Sequence, residues 1–124
     1  MVIVRVALDE GSLTGKYGPD KTFPEDDFRV RYFAGDRMQR SAERVQKLEA
    51  DLRAAGLPED RTMTSAALQF ALSPPAVTSV IAGMRTEQHA AQNAAVPDLP
   101  PLTDGQLAVF CGHRWLRAFW YGGK

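Results

Sequence analysis

Two short β-branched runs constrain this chain more than any other feature: Val2-Ile-Val-Arg-Val-Ala-Leu8 near its start, and Val77-Thr-Ser-Val-Ile81 well past its middle. Each closes on a turn signal, Asp9-Glu-Gly11 after the first and Ala82-Gly83 after the second. Between them Met38, Ala42, Val45, Leu48, Leu52 and Ala55 recur at intervals of three and four. That spacing makes one apolar helix face over 38–55, and Gly56 followed by Pro58 ends it. A second helix is expected over 64–72, with Leu68, Ala71 and Leu72 inward and Pro74-Pro75 as its stop. A strand–helix–strand passage with apolar strands implies a parallel crossover. Near-continuous apolar runs also suit strands buried on both faces. The expected fold class is therefore α/β, helix-rich with two parallel strands, and two strands alone make an incomplete sheet. Arg5 is the misfit of the first run: it needs a counter-ion or a wet face, and no obvious partner lies near it in sequence.

The remaining chain reads as connections and two further helices. Residues 11–35 are rich in glycine and proline and carry the acidic cluster Glu25-Asp26-Asp27 together with Phe23, Phe28, Tyr32 and Phe33. So many aromatics in a loop imply that it packs onto something. A helix is expected over 86–95 and a linker over 97–101. Thr103 with Gln106 makes a capping box and Leu102 with Leu107 a hydrophobic staple. The last helix then starts near Asp104 and carries Leu107, Phe110, Cys111 and Trp115, inside a C-terminal extension over 102–124.

Composition excludes more than it proposes. Across 124 residues, 44% are hydrophobic and 24% charged, with a formal net charge of zero. These values suit a globular domain, and no global field draws nucleic acid or anionic lipid. The single cysteine, Cys111, cannot form an internal disulfide. The apolar start is too short to span a bilayer and lacks the marks of a signal peptide. The cytoplasm is the expected location, with no membrane partner. Arg114, Trp115, Arg117, Phe119, Trp120 and Tyr121 mix basic and aromatic residues; a packing tail explains them better than a nucleic-acid surface. Cys111, His113 and His89 lack metal-ligand spacing, so no metal is expected, with Cys111 packed and His113 at the surface.

Chemistry concentrates at the two strand ends. Ser79-Val-Ile-Ala-Gly-Met-Arg-Thr86 is a strand that feeds through glycine into a helix. A helix N-terminus with free amides favours an anion. Gly83 permits close approach, and Arg85 can grip a phosphate with two hydrogen bonds. Met84, His89, Gln92 and Asn93 lie at the same mouth or one turn along. Taken alone, the segment is better accounted for by a plain strand-to-helix turn bearing a solvated arginine. Asp9-Glu-Gly-Ser-Leu-Thr-Gly-Lys16 is the other turn; its glycines and Lys16 could cradle phosphate, although its spacing is neither that of a P-loop nor that of a GxGxxG fingerprint. Parallel strands place their C-terminal ends on one edge, where α/β folds bind ligands. Both glycine turns are thus expected to face one cleft, with Lys16 and Arg85 meeting a phosphorylated nucleotide.

At these residues the chain resembles the aldo/keto reductases. Arg5-Val-Ala-Leu-Asp-Glu-Gly-Ser-Leu-Thr-Gly-Lys16 is similar to the family's strand-seven turn, and Ala67-Leu-Gln-Phe-Ala-Leu-Ser-Pro-Pro-Ala-Val77 to its following helix. Val80-Ile-Ala-Gly-Met-Arg85 with Asn93 resembles its strand-eight signature; Asp27-Phe-Arg-x-x-Tyr-Phe33 and His113-Arg-Trp115 resemble one bacterial branch. The resemblance implies the C-terminal portion of a (β/α)8 TIM barrel that binds NADP(H) and moves a hydride to an aldehyde or ketone. It implies that Val6, Ala7, Leu8, Asp9, Glu10, Gly11 and Lys16 line the pyrophosphate and nicotinamide-ribose side. Gly83, Met84 and Arg85 would hold the 2′-phosphate, with Arg85 selecting NADP over NAD. His89 stands where many members have glutamine, Gln92 where many have glutamate, and Asn93 matches the adenine-contacting asparagine. Ala7 and Ala82 replace prolines and Val6 a serine, so both turns lose rigidity and one hydroxyl donor.

The family's Asp, Tyr, Lys and His tetrad comes from the first half of the barrel, so no residue here inherits a catalytic role. The expectation is an oxidoreductase segment, inactive alone, whose partners are a nicotinamide nucleotide and possible complements: an N-terminal barrel fragment or further copies of itself. A non-catalytic nucleotide-binding or partner module, or a self-associating structural fragment, is the alternative.

Overall fold

The computed structural model describes residues 1–115. In chain order these form β1 (Val2–Arg5), two short 3₁₀ turns merged across a kink (Asp9–Thr14), α1 (Arg29–Tyr32), α2 (Arg37–Ala54) and α3 (Met63–Leu72). Then come β2 (Val77–Ile81), α4 (Glu87–Ala94), a 3₁₀ turn (Val96–Asp98) and α5 (Asp104–Gly112). β1 and β2 pair in parallel, with Ile3 opposite Ser79, Val4 opposite Val80 and Arg5 opposite Ile81. Both strands therefore deliver their C-terminal ends to the same edge.

The helices supply the core. Met38, Ala42, Val45, Leu48 and Leu52 are buried along α2, as the apolar spacing requires. Val45, Leu48 and Leu52 meet Leu57, Met63, Ala66, Leu102 and Phe110 in one cluster, and Phe70 stacks on Phe110 at 4.5 Å between ring centroids. α2 stops where Gly56 turns to φ 83. There the Gly56 amide donates to Arg53 and the Leu57 amide to Leu52, which is the Schellman pattern that satisfies the last carbonyls of a helix. Thr62 caps α3 by accepting from the Ser65 amide. The capping box of α5 forms in both directions, Gln106 N to Thr103 Oγ1 at 3.2 Å and Thr103 N to Gln106 Oε1 at 3.0 Å. Arg61, almost fully buried, donates to Gln69 Oε1 and to the Pro100 carbonyl. Gln69 in turn reaches the carbonyls of Val96 and Leu99. The linker after α4 is thereby tied to α3.

Several expectations need correcting. β1 ends at Arg5 rather than Leu8, because Val6 adopts φ 57, a left-handed conformation that a β-branched side chain rarely takes. Neither strand is buried on both faces: Ile3 is 50% and Ile81 65% exposed, since the described sheet has two strands and only α3 packs closely on β2. In α3 the inward set is Met63, Ala66, Ala67 and Leu68, while Ala71 and Leu72 are half-buried; the core sits toward the start of α3, where α2 and α5 converge. The glycine-rich loop contains α1, which the loop assignment passed over. Cys111 is exposed, and His113 is the packed residue, its Nε2 2.7 Å from Asp51 Oδ2 with the imidazole 16% exposed. The position just after a helix end turned the histidine back onto α2. Arg117, Phe119, Trp120 and Tyr121 lie outside the described residues.

Leu52→Ala removes a fully buried side chain and should cost about 2–5 kcal/mol, whereas Thr103→Ala, losing one cap, should cost only about 1 kcal/mol. Urea unfolding followed by circular dichroism checks both; equal small losses would mean that the α2–α3–α5 core is not the main source of stability.

Candidate functional site

A hollow of about 770 Å³ opens where the two strands end. Arg5, Val6, Ala7, Leu8, Glu10 and Gly11 line it from the first strand end, and Ile81, Ala82, Gly83 and Arg85 from the second. His89 of α4, together with Thr14, Tyr17, Asp26, Asp27, Phe28 and Arg29, completes the wall.

The first strand end is an unusual piece of backbone. Val6, Asp9 and Glu10 all have positive φ, at 57, 47 and 55°, and Gly11 follows at 99°. Such conformations cost energy for side chains other than glycine, so surrounding contacts must hold them. Asp9 accepts from Ser12 Oγ at 2.6 Å and from Tyr32 Oη at 2.7 Å. Tyr17 Oη contacts the Glu10 carbonyl at 3.4 Å and accepts from Arg29 Nη1 at 2.9 Å. Arg29 also donates to both carboxylate oxygens of Asp27 through its Nε, at 2.9 and 3.0 Å, and lies 4.6 Å over the Phe23 ring. Beneath this, Tyr17, Phe23, Tyr32, Phe33 and Met38 form a second apolar cluster. The aromatic loop thus packs, as its composition requires, and what it packs onto is the strained turn. Phe28 is the exception at 57% exposed.

The charges are set by these contacts. The Arg29 guanidinium and the Arg29 amide hold Asp27 ionised, lowering its pKa to about 2, with Arg85 contributing from farther away. Arg29 is correspondingly held more firmly protonated, chiefly by Asp27. Glu10 moves the other way: burial first, and then the neighbouring Asp9, push its carboxyl up, against the pull of Arg29 and Arg5. Arg5, the misfit of its strand, lines the same hollow as Glu10 without forming an ion pair with it. Arg85 is exposed and makes no hydrogen bond or ion pair with the other described residues.

The sequence-derived residues divide between two hollows. Val6, Ala7, Leu8, Glu10, Gly11, Gly83, Arg85 and His89 share the first. Lys16, Gln92 and Asn93 line a neighbouring hollow of about 800 Å³ with Arg53, Arg61 and the start of α3; Thr14 borders both. Lys16 and Arg85 therefore do not meet in one cleft, because the kinked turn carries residue 16 past the strand ends. The cations that do accompany Arg85 are Arg5 and Arg29. Asn93 Nδ2 donates to the Gly83 carbonyl at 3.1 Å, bracing the second turn. Asp9 is engaged by Ser12 and Tyr32, and Met84 is 57% exposed and lines neither hollow. Tyr17, Asp27 and Arg29 were missed; the Asp27-Phe-Arg-x-x-Tyr-Phe33 motif was a signal for Asp27 and Arg29, and it does not reach Tyr17. Among the described residues no group of three or more histidine, cysteine, aspartate or glutamate side chains is arranged to hold a metal ion. No described helix is long and apolar enough to cross a membrane.

Strand ends of one parallel sheet, two glycine turns and an exposed arginine before a helix start define an α/β protein whose strand ends share one edge. The Aldo/keto reductase family profile matches residues 1–112. The chain belongs to the aldo/keto reductase family, a family of oxidoreductases with the (β/α)8 fold, and its described residues are helix-rich with two parallel strands. A comparison with curated proteins finds no match.

Gly11→Ala should destabilise the chain by more than about 1 kcal/mol, because φ is 99° and a Cβ there would run into the Tyr17 ring and hydroxyl; thermal unfolding reads this directly. Asp27 makes a pH prediction. Its folded pKa is depressed, so its stabilising contribution is complete above the ordinary aspartate pKa of about 3.9 and disappears as pH falls toward about 2. Asp27→Asn should flatten that acid limb of the stability curve; an unchanged limb would detach Asp27 from it.

Proposed function

We propose that this chain is the nucleotide-holding, C-terminal portion of an NADP-dependent aldo/keto reductase acting on aldehydes or ketones in the cytoplasm. In this assignment β1 and β2 correspond to barrel strands seven and eight, and the catalytic tetrad belongs to strands outside these residues. The observation that carries the proposal is Arg85, an exposed guanidinium with no hydrogen bond or ion pair to another described residue, set beside Gly83 on a hollow shared by both strand ends. A bidentate, charge-assisted contact to the 2′-phosphate suits it. The donor set fits the group: Arg5, Arg29 and Arg85 line the hollow, and of its carboxylates Glu10, Asp26 and Asp27, the last is already paired with Arg29. Gly83, where a Cβ would meet only open space, keeps a side chain away from the phosphates. Lys16, Gln92 and Asn93 would serve the adenosine end from the adjoining hollow. NADPH, once bound, supplies the hydride; the residues of this chain bind and orient it, and none of them donates the proton.

A second assignment is favoured by the open sheet, whose Val2, Ile3 and Ile81 are 45, 50 and 65% exposed. Unpaired strand edges invite association. A complementary barrel fragment, or another copy of the chain, would cover them, giving a non-catalytic nucleotide-binding or structural module.

NADPH titration followed by cofactor fluorescence tests the leading proposal. Arg85→Ala should weaken NADPH binding by about ten- to a hundredfold, the worth of one charge-assisted pair, and leave NADH binding nearly unchanged. Equal losses for both nucleotides would contradict 2′-phosphate recognition. Carbonyl reduction by the 124-residue chain alone would contradict the absence of a tetrad.

A further inference from the structure

The hollow at the strand ends carries three carboxylates, Glu10, Asp26 and Asp27, beside its arginines. A nucleotide phosphate entering there must contend with their charge. Asp27 cannot shed its charge near neutral pH, because Arg29 grips it through the guanidinium and the backbone amide. Asp26 is exposed, where water screens it. Glu10 differs from both. It is half-buried on the strained turn, in a left-handed conformation of φ 55°, ψ 25°. No hydrogen bond or ion pair to a described residue compensates its carboxylate. The charged and titratable groups around it are Asp9 on its own turn, Arg5 at the end of β1, and Tyr17, Asp26, Asp27 and Arg29 from the aromatic loop. Arg85 after β2 and His89 on α4 close the ring.

We propose that Glu10 is the charge-compensating group of this hollow: its carboxylate takes a proton from solvent when a phosphate-bearing nucleotide binds, so that nucleotide affinity rises as pH falls. The proposal rests on the nucleotide assignment made for the hollow. Its physical basis is linkage. An added anion nearby disfavours the carboxylate, and whatever raises a group's pKa on binding makes binding take up protons. Burial and Asp9 already push the free carboxyl upward, so a further push by phosphate brings its titration into an accessible range. Arg5 and Arg29, released from offsetting Glu10, then face the phosphate with their charge undivided.

Isothermal titration of the full chain with NADP⁺, in two buffers of different ionisation enthalpy and from about pH 8 to about pH 5, tests this over the range where a raised carboxyl titrates. The expected result is net proton uptake, with affinity rising about tenfold for each unit by which binding raises the carboxyl pKa. Glu10→Gln should abolish the uptake, flatten the pH profile and bind more tightly than the parent at the alkaline end. Circular dichroism of Glu10→Gln confirms that it is folded, and ¹³C NMR of the Glu10 carboxyl, titrated with and without NADP⁺, reads its pKa in the parent protein. Binding without proton uptake overturns the proposal while leaving the nucleotide assignment intact. So does uptake that survives Glu10→Gln but is lost in His89→Gln. Absence of NADP⁺ binding at every pH overturns both.

Discussion

The parallel pairing of β1 with β2 is the constraint on which the rest depends. It brings together two turns that are separated by most of the chain, and it does so with a few backbone hydrogen bonds between strands of four and five residues. Such a ladder is weak alone. Its position is held by what lies between the strands: α2 and α3 form the core with α5, and α3 runs directly into β2. The energy that fixes the site geometry is thus spent in the helices, on the burial of residues such as Leu48 and Leu52. The strands transmit that order to the edge where the glycines and Arg85 lie.

The second constraint is local. The positive φ of Val6, and of Asp9 through Gly11, would not persist unaided. Tyr17, Arg29 and Tyr32 supply the holding contacts, and the aromatic cluster of Phe23, Phe33 and Met38 anchors them. The long loop is therefore part of the site's architecture: it converts a flexible glycine turn into a shaped wall. It also sets the charge of that wall, because the same Arg29 that braces Tyr17 keeps Asp27 ionised.

Much of this was legible in the sequence because periodicity and caps are local. The three-and-four spacing from Met38 to Leu52, the Gly56–Pro58 stop and the Thr103–Gln106 box each depend on residues within a few positions, and each forms where expected. Residues 77–81 are a strand with those bounds. What sequence could not supply was dihedral detail and long-range side-chain reach. Nothing about Val6 announces a left-handed backbone, yet that one residue shortens β1 and, with the kink at Glu10 and Gly11, sends Lys16 into a different hollow from Arg85. The Asp27–Arg29–Tyr17 chain joins residues across twelve positions, and apolar patterning is silent about such contacts. His113 and Cys111 exchanged roles because burial at a helix end is decided by the direction of the following residue. Strand burial was overstated for another reason: β-branched composition reports what a strand is suited to, and the described residues provide only one covering helix for a two-stranded sheet.

The central claim is that the two strand ends make a single phosphate-binding edge. Backbone amide chemical-shift mapping during titration with 2′,5′-ADP tests it most directly, since that ligand carries the distinguishing phosphates without the nicotinamide. The account predicts concerted shifts at Gly83, Met84 and Arg85 together with Glu10 and Gly11, saturating at one ligand per chain. Shifts confined to one of the two turns, or appearing only on helices remote from both, would contradict it.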